Sequence, residues 1–297
     1  MHVFSPAYTQ EDFTQLLELC DHIVFNSFGQ WKKYRQQVQD ATRNISCGIR
    51  INPGYAEVET DLYNPCISGS RMGVPLEQME DDFAGLDGIH FHTMCEQNSD
   101  VLERTLDHML PQFDKWLKRC KWVNFGGGHH ITRPDYDVER LVRCIERVRD
   151  TYGVQVYLEP GEAVALNAGY LVATVLDVVH NGMDIAILDA SAACHMPDVL
   201  EMPYRPHILY SGTAGEKTHT YRLAGNTCLA GDVIGDYSFD HQLQAGEKLV
   251  FCDMAIYSMV KNNTFNGVPL PDIALYQNGH IDLVKRFGYA DFEGRLS

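Results

Sequence analysis

Short apolar segments alternate with longer amphipathic segments over the first half of the chain. The short segments favour strands, whereas the longer ones repeat apolar residues every three or four positions and favour helices. The predicted strands cover residues 2–6, 22–26, 47–51, 88–92, 121–125 and 154–158, and the predicted helices cover 10–20, 29–39, 75–84, 99–119 and 137–151. Alternation of this kind is typical of βα units around a parallel sheet.

The pattern changes after residue 163, where glycine-rich turns separate strand-like segments and helical periodicity is mostly absent. The predicted strands of this part cover residues 170–179, 184–190, 217–225, 248–254 and 274–279. We therefore predict two domains: an α/β domain over residues 1–166, which is part of a barrel, and an all-β domain over residues 167–297.

The first domain has fewer predicted strands than the eight that close a (β/α)₈ barrel. Polar turns at His92, at Gly126–Gly128 and at Glu159 follow the carboxyl ends of their strands, where the active sites of such barrels lie. The sequence therefore resembles a barrel that begins at its third strand, and we expect that about 60 or more residues are missing from the front.

The composition favours a soluble, acidic protein. The chain has 297 residues, of which 45% are hydrophobic, and its net charge is −16. This charge disfavours nucleic acid and anionic membranes as partners, and it attracts cationic molecules such as polyamines. An ordinary, well-solvated cytosolic surface explains the charge equally well.

The cysteines indicate a reducing compartment. Nine are scattered along the chain, none forms a CxxC pair, and the count is odd. The amino-terminal residues lack the basic and apolar regions of a signal peptide, and the chain has no apolar run long enough to span a membrane. We expect a cytoplasmic protein.

Two predicted strands end in turns whose residues could bind a ligand. GGGHH begins at Gly126, and a glycine run after a strand lets backbone N–H groups converge on a phosphate, although a merely flexible turn is the alternative. EPGEA begins at Glu159, whose carboxylate would keep a ring nitrogen protonated. The alternative for EPGEA is a turn in which Pro160 ends the strand. Together the turns suggest a phosphate-bearing cofactor across the open end of the barrel.

The segment GIHFHTM places His90 and His92 on one face of a strand, where one of them could stack on a flat ring. The alternative is a buried histidine with ordinary hydrogen bonds. A metal site is a further alternative for these histidines and their neighbours. The residues of that set lack the spacing of dependable zinc motifs, so no metal is predicted. The residues of that set are His90, His92, Cys95, His129 and His130.

Two segments of the second domain add candidates. In GNTCLAGD, Cys228 could act as an acid or base beside Asp232, although a small buried cysteine is the alternative. In DMAIYSMVKNNTFNG, the hydroxyl of Tyr257 could reach a phosphate, although an ordinary tyrosine between a strand and a helix is the alternative.

In order and spacing, these motifs and the segment DASAACHMPDVLEMPYRP at 189–206 resemble the fold type III pyridoxal 5′-phosphate decarboxylases over essentially the whole chain. They look most like the carboxynorspermidine/carboxyspermidine branch of that family. The resemblance implies an alanine-racemase-like (β/α)₈ barrel with a C-terminal β domain, and a homodimer with shared active sites. It also implies decarboxylation of carboxynorspermidine or carboxyspermidine in polyamine biosynthesis, with pyridoxal 5′-phosphate as cofactor.

The resemblance assigns the cofactor-binding residues. It implies that Gly126, Gly127, Gly128 and Tyr257 hold the phosphate. Glu159 would face the pyridine nitrogen, His92 would stack on the ring, and Arg50 would lie near the cofactor.

The resemblance also assigns residues to the substrate. Cys228 would return a proton to the substrate carbon, and Asp232 would contact the substrate amine. Glu162, a further candidate for substrate binding, stands where many relatives have an arginine.

The family's catalytic lysine lies on the first barrel strand, and none of the lysines of this chain ends a predicted barrel strand. No lysine is assigned to that role, and we expect the chain alone to be poorly stable or inactive. Two other hypotheses stay open. One is a decarboxylase-like protein that binds a cofactor or partner without catalysis. The other is a different substrate such as diaminopimelate, which the acidic EPGEA turn and the lack of extra arginines disfavour.

Overall fold

The computed structural model describes residues 1–296. The chain divides into two units, Met1–Val164 and Ala165–Ser297. Each unit has its own buried apolar core. The boundary predicted from the sequence lies at residue 166.

The first unit contains a parallel sheet. Its strands are β1 His2–Phe4, β2 His22–Phe25, β3 Ser46–Asn52, β4 Val74–Pro75, β5 Gly88–His90, β6 Trp122–Asn124 and β7 Gln155–Tyr157. The order is β1-β2-β3-β5-β6-β7, and the short β4 pairs with β3 off this path. Every pairing is parallel, as the alternating pattern predicts.

Helices connect these strands, and particular residues in the sequence mark where the helices begin and end. They are α1 Gln10–Leu19, α2 Phe28–Gln39, α3 Ser99–Leu117, α4 Val138–Tyr152 and the short α5 Gly161–Ala165. The Asp137 carboxylate caps the start of α4 by accepting a hydrogen bond from the backbone of Arg140. Gly153 ends the same helix with φ of 66°, in the left-handed region that glycine adopts readily.

The sheet of the first unit is curled. His2 on β1 and Tyr157 on β7 belong to opposite edges, yet their ring centroids are 4.4 Å apart. The indole of Trp122 lies beside them and donates a hydrogen bond to Ser46 Oγ at 2.8 Å. Strand-to-strand contact through the interior is what a barrel requires, and the predicted barrel-like fold is confirmed in these residues.

The predicted helix over residues 75–84 is wrong. Only a single 3₁₀ turn, Leu76–Gln78, forms there. Side chains on and just after the long α3 bond backbone carbonyls of this segment: Trp116 Nε1 donates to Glu80 O, and Arg119 Nη1 donates to Asp81 O, each at 2.8 Å. Tertiary hydrogen bonds have therefore replaced the helical ones.

The second unit contains a mostly antiparallel sheet. Its strands are β8 Leu171–His180, β9 Asp184–Leu188, β10 Gly212–Thr213, β11 His219–Ala224, β12 Val233–Phe239 and β13 Lys248–Phe251. The order is β10-β12-β11-β9-β8-β13, and only the β9–β11 pair is parallel. The hairpin of β14 Ile273–Gln277 and β15 His280–Lys285 forms a separate sheet.

Three short helices complete the second unit: α6 Ala192–His195, α7 Asp198–Glu201 and α8 Tyr289–Glu293. Strands dominate this unit, as predicted, but β10, β12 and β15 were not predicted from the sequence. Across residues 1–296, no helix combines the length and the apolar character that a membrane span needs.

Candidate active site

Polar residues occupy one level of the curled sheet near the carboxyl ends of its strands. The strand register aligns Arg50 with His90, His90 with Asn124, and Asn124 with Tyr157. Arg50, His90 and Asn124 are all buried. Burying adjacent polar groups is costly unless they are hydrogen-bonded or used by a ligand, so this level is the natural place for a site.

The glycine turn that follows β6 is held tightly by its neighbours. Gly128 has φ of 81°, and a Cβ on it would lie 2.0 Å from Met94 O, so only glycine fits. The N–H of Gly126 donates to Asn124 Oδ1 at 2.8 Å, and the N–H of Gly127 donates to His92 Nδ1 at 3.2 Å. Two of the three glycine amides predicted to face a phosphate are therefore used inside the protein. In residues 1–296 the N–H of Gly128 has no protein acceptor.

The glycine turn and the Glu159 turn lie side by side. The N–H of Glu159 donates to Gly126 O at 2.9 Å. Glu159 Oε1 accepts a hydrogen bond from Asn124 Nδ2 at 2.8 Å, and Glu159 Oε2 lies 3.7 Å from His90 Nε2. The side chain is 40% exposed, and no lysine or arginine of the described residues lies within 4.0 Å of it. Its charge is therefore available to a bound cation.

The histidines of the site are neutral. Burial, reinforced by the charge of Arg50, lowers the pKa of His92 to about 4. Because His92 Nδ1 accepts the hydrogen bond from Gly127, its proton lies on Nε2. Burial holds the pKa of His90 well below its usual value, so His90 does not form a true ion pair with Glu159.

Arg50 is a buried cation without an acidic partner. Its Nη2 donates to His92 O at 3.3 Å, and its guanidinium lies 4.5 Å from the centre of the Phe4 ring. No carboxylate among the described residues lies within 4.0 Å, and burial lowers the pKa of Arg50 to about 10. An uncompensated buried guanidinium favours binding of an anionic or strongly accepting ligand.

Glu162 contacts the segment that follows the glycine turn. Its Oε2 lies 2.5 Å from His130 Nε2, and Arg133 Nη1 is 3.3 Å from His130 Nδ1. Glu162, predicted to bind substrate, therefore links α5 to the glycine segment in this structure.

Two groups of side chains have ligand atoms within 4.8 Å of one another, but neither matches the set considered from the sequence. One group is His90, His92 and Glu159, and the other is Glu96, His130 and Glu162. Cys95 belongs to neither group in the part of the chain that is described. Carboxylates and histidines often gather in this way without an ion, so no metal centre is inferred.

Asp232 and Cys228 belong to one loop of the second unit. Asp232 is buried, with Oδ2 accepting from Thr227 Oγ1 at 2.6 Å and Oδ1 accepting from the N–H of Ala193 at 3.2 Å. Both carboxylate oxygens therefore hold the loop together. Cys228 is exposed, and Asn266 Nδ2 lies 3.0 Å from its Sγ.

Tyr257 is held in an unusual backbone conformation. Its φ is 53°, which is uncommon for a bulky residue, and its side chain is exposed. Lys261 Nζ lies 5.5 Å from its ring centre. Among residues 1–296 no protein group bonds its hydroxyl, so that hydroxyl is available to a ligand.

Sequence reasoning missed Asn124. The strand that contains it looks like an ordinary apolar strand before a glycine turn. The only available signal was a polar amide in a segment otherwise fit for burial, because buried amides need partners.

The comparisons with known proteins point to one family. A family model described as "Pyridoxal-dependent decarboxylase, C-terminal sheet domain" matches residues 19–255. The carboxynorspermidine/carboxyspermidine decarboxylase of Campylobacter jejuni is 42% identical over 99% of this chain and 80% of its own length. The carboxyaminopropylagmatine decarboxylase of Synechocystis is 41% identical over 100% of this chain and 77% of its own length.

The solved structures agree. Carboxynorspermidine decarboxylase from Campylobacter jejuni, complexed with norspermidine, matches with a TM-score of 0.88 and 41% identity, over 99% of this chain and 80% of that one. A diaminopimelate decarboxylase matches with a TM-score of 0.81 at 20% identity, over 99% of this chain and 76% of its own, and this match shows the fold alone. On the fold, the matched family model and these identities, the chain belongs to the pyridoxal-dependent decarboxylases.

Proposed function

We propose that this chain decarboxylates carboxynorspermidine or carboxyspermidine, giving norspermidine or spermidine, with pyridoxal 5′-phosphate as its cofactor. The substrates are those named for the Campylobacter and Herminiimonas relatives, which are 42% and 33% identical. The single observation that most supports the proposal is the placement of Glu159. Within residues 1–296 no lysine or arginine lies within 4.0 Å of its carboxylate, and the Glu159 turn lies beside the glycine turn.

The residues present fit this cofactor. Glu159 offers a charge to the pyridine nitrogen, Arg50 is a buried cation that lacks an acid, and the Gly128 amide is open. Neutral His92 presents a flat ring without adding positive charge beside a protonated pyridine. These groups match a ligand with a basic ring nitrogen, an oxygen substituent and a phosphate.

When bound, pyridoxal phosphate supplies an electron sink for the electron pair that the departing carboxylate leaves behind. Glu159 holds the proton on the pyridine nitrogen, because a neighbouring carboxylate raises the pKa of that nitrogen. His92 orients the ring by stacking, and Arg50 fixes the polar substituents. These roles of the chain's own residues are part of the proposal.

Residues of the second unit complete the proposed chemistry. Cys228 gives a proton to the substrate carbon, and its exposure suits a thiol that meets a substrate. Asp232 would bind the substrate amine, which requires it to exchange its bond from Thr227 for one from the ligand. Tyr257 offers its free hydroxyl to the phosphate, and Glu162 adds negative charge for a polycationic substrate.

We further propose a cytoplasmic homodimer in which Cys228 of one subunit serves the other subunit's site. The net charge of −16 would draw a polyamine-type substrate toward either copy. Nucleic acid and membranes are not proposed as partners.

No lysine is assigned to a covalent link with the cofactor. In the first unit the lysines lie on α2, on or just after α3, and just before β6, so none stands at the carboxyl end of a described strand. The positions are Lys32, Lys33, Lys115, Lys118 and Lys121. The lack of such a lysine underlies the expectation of a poorly stable or inactive chain, whereas the proposed function requires turnover, and measured CO₂ release decides between the two.

Carboxyaminopropylagmatine is a second candidate substrate, because a similarly close relative is named for it. The Synechocystis relative, named for carboxyaminopropylagmatine, is 41% identical over the whole of this chain, which is close to the Campylobacter value of 42%. The two identities do not separate these substrates, whereas the diaminopimelate decarboxylase of Streptomyces coelicolor is 25% identical.

The test measures release of CO₂ from these substrates by the purified chain and by Glu159→Gln, with Glu18→Gln as an exposed control on α1. We expect slow release from carboxynorspermidine or carboxyspermidine. We expect E159Q to lower kcat by roughly 100-fold, because the ring nitrogen loses a charged partner. E18Q should leave the rate unchanged. Cofactor binding without release from any substrate would contradict the proposal and favour the non-catalytic binding protein.

A further inference from the structure

Asn124 is a polar side chain in the apolar core of the first unit, where burial of an amide is energetically unfavourable. Its side chain is fully buried on β6, between strands β5 and β7 of the curled sheet. A buried amide destabilises the fold through each polar atom that is left without a partner. Apolar residues of similar size would avoid that cost, so the amide needs a reason to be there.

Both polar atoms of the amide are bonded to groups of the candidate site. Oδ1 accepts from the N–H of Gly126 and Nδ2 donates to Glu159 Oε1, both at 2.8 Å. The single side chain thus links the glycine turn, which follows its own strand, to the carboxylate that follows the next strand. The bond to Asn124 leaves the other oxygen of Glu159 for a ligand.

The chemistry of the linker matters as well as its geometry. An amide donates to Glu159 without neutralising it, whereas a lysine or arginine would cancel the charge that a cationic ligand needs. His90, on the other side of Glu159, is also uncharged. Glu159 therefore accepts from an uncharged amide on one side and faces an uncharged imidazole on the other.

We propose that Asn124 is a positioning residue, which fixes the Glu159 carboxylate against the glycine turn so that the carboxylate meets the ring nitrogen of the bound cofactor. This inference rests on the proposed function and deepens it. Asn124 itself does not touch the reacting atoms.

The experiment measures binding of two non-reactive probes by calorimetry. One probe is 4′-deoxypyridoxine 5′-phosphate, which has the ring nitrogen but no aldehyde, so that no lysine is needed. The other is its benzene analogue, in which C–H replaces the ring nitrogen. Comparing the two isolates the contact between Glu159 and the ring nitrogen from all other contacts.

The key variant is Asn124→Asp, which keeps an acceptor for Gly126 but replaces the neutral donor with a second carboxyl that either repels Glu159 or shares a proton with it. We expect the pyridine probe to bind about 10- to 100-fold more weakly, the range for a lost hydrogen bond to a charged group. Binding of the benzene analogue should not change. Asn124→Ala, which also frees the Gly126 amide, should weaken both probes. If N124A does not fold, N124D decides alone.

Thr105→Val is the matched control, since it removes a buried hydroxyl whose partner is Val101 O within α3. It should alter neither probe. Unchanged binding of the pyridine probe to N124D, or equal losses for both probes, would overturn the positioning role. A wild-type chain that binds both probes equally would instead show that Glu159 does not meet the ring nitrogen. The proposed function would then fail, and the role of Asn124 with it.

Discussion

Buried neutral histidines concentrate near the carboxyl ends of the strands in the first unit. Burial lowers the pKa of His92 and of His129 to about 4 each, and holds the pKa of His90 well below its usual value. Protonated histidine would repel Arg50 and a protonated pyridine. Keeping these imidazoles neutral is therefore compatible with a cationic ligand ring.

The same histidines predict how stability changes with pH. Below pH 6.5 these histidines bind protons in the unfolded chain but stay neutral in the folded chain. The free energy of unfolding should therefore fall as pH drops from about 6.5 to about 4. Each such histidine contributes a slope of up to about 1.4 kcal/mol per pH unit. Urea denaturation at several pH values measures this slope.

His129→Leu tests the assignment, because both ring nitrogens of His129 lack partners in the described residues. H129L should show a shallower slope than the wild type. Thr105→Val, which alters a buried side chain without removing a titratable group, should keep the wild-type slope. Equal slopes for H129L and the wild type would contradict the neutral state inferred for His129.

The sequence predicts site residues whose signal is local. The glycine turn and Glu159 each follow a strand, and the positions of strand ends can be read from neighbouring residues. The Asn124–Glu159 bond and the His130–Glu162 contact join different βα units, so no local pattern contains them. The roles assigned to Cys228, Asp232 and Tyr257 stay predictions, because their chemistry depends on a ligand.

At the scale of elements, the tight turn after β6 limits what can replace its glycines. Gly128 combines a positive φ with close contact to the Met94 backbone, whereas Gly153 has a positive φ in open space. Replacing Gly153 by alanine would therefore add backbone strain alone, whereas replacing Gly128 would add both backbone strain and steric overlap.

Gly128→Ala and Gly153→Ala measure these costs by chemical denaturation. G153A should lower the free energy of unfolding by about 1 kcal/mol, the strain of a left-handed alanine. G128A should cost about 3 kcal/mol or more, because the turn must also move away from Met94. Similar losses for both variants would show that the turn relaxes easily and does not form a rigid cradle.

Long elements with strong periodicity were predictable, and short or tertiary-dependent ones were not. The α3 and α4 helices follow their apolar stripes closely. The helix over 75–84 is not formed, and side chains on and just after α3 bond carbonyls of that segment instead. Strand β12 contains Gly235 and buries three residues in a row, which hides its alternation.

At the scale of the whole molecule, the chemistry is proposed to draw on residues of both units. Glu159 belongs to the first unit, and Cys228 to the second. In a homodimer with shared sites, each site would take Glu159 from one copy and Cys228 from the other, so defects in the two residues can compensate.

Mixing the inactive variants Glu159→Gln and Cys228→Ala tests that arrangement. Random exchange of subunits makes half of the dimers mixed, each with one intact site, so about 25% of the wild-type rate should return. The double variant E159Q/C228A, mixed with either single variant, is the control and should restore nothing. No recovery in the first mixture, under conditions where subunits exchange, would contradict shared sites.

The placement of the tryptophans has a practical consequence. Trp31, Trp116 and Trp122 are the only tryptophans of the chain, and all are buried in the first unit. Indole emission therefore reports the loosening of that unit and is blind to direct events in the second. Paired with a backbone signal such as circular dichroism, it reveals whether the two units melt together or in sequence.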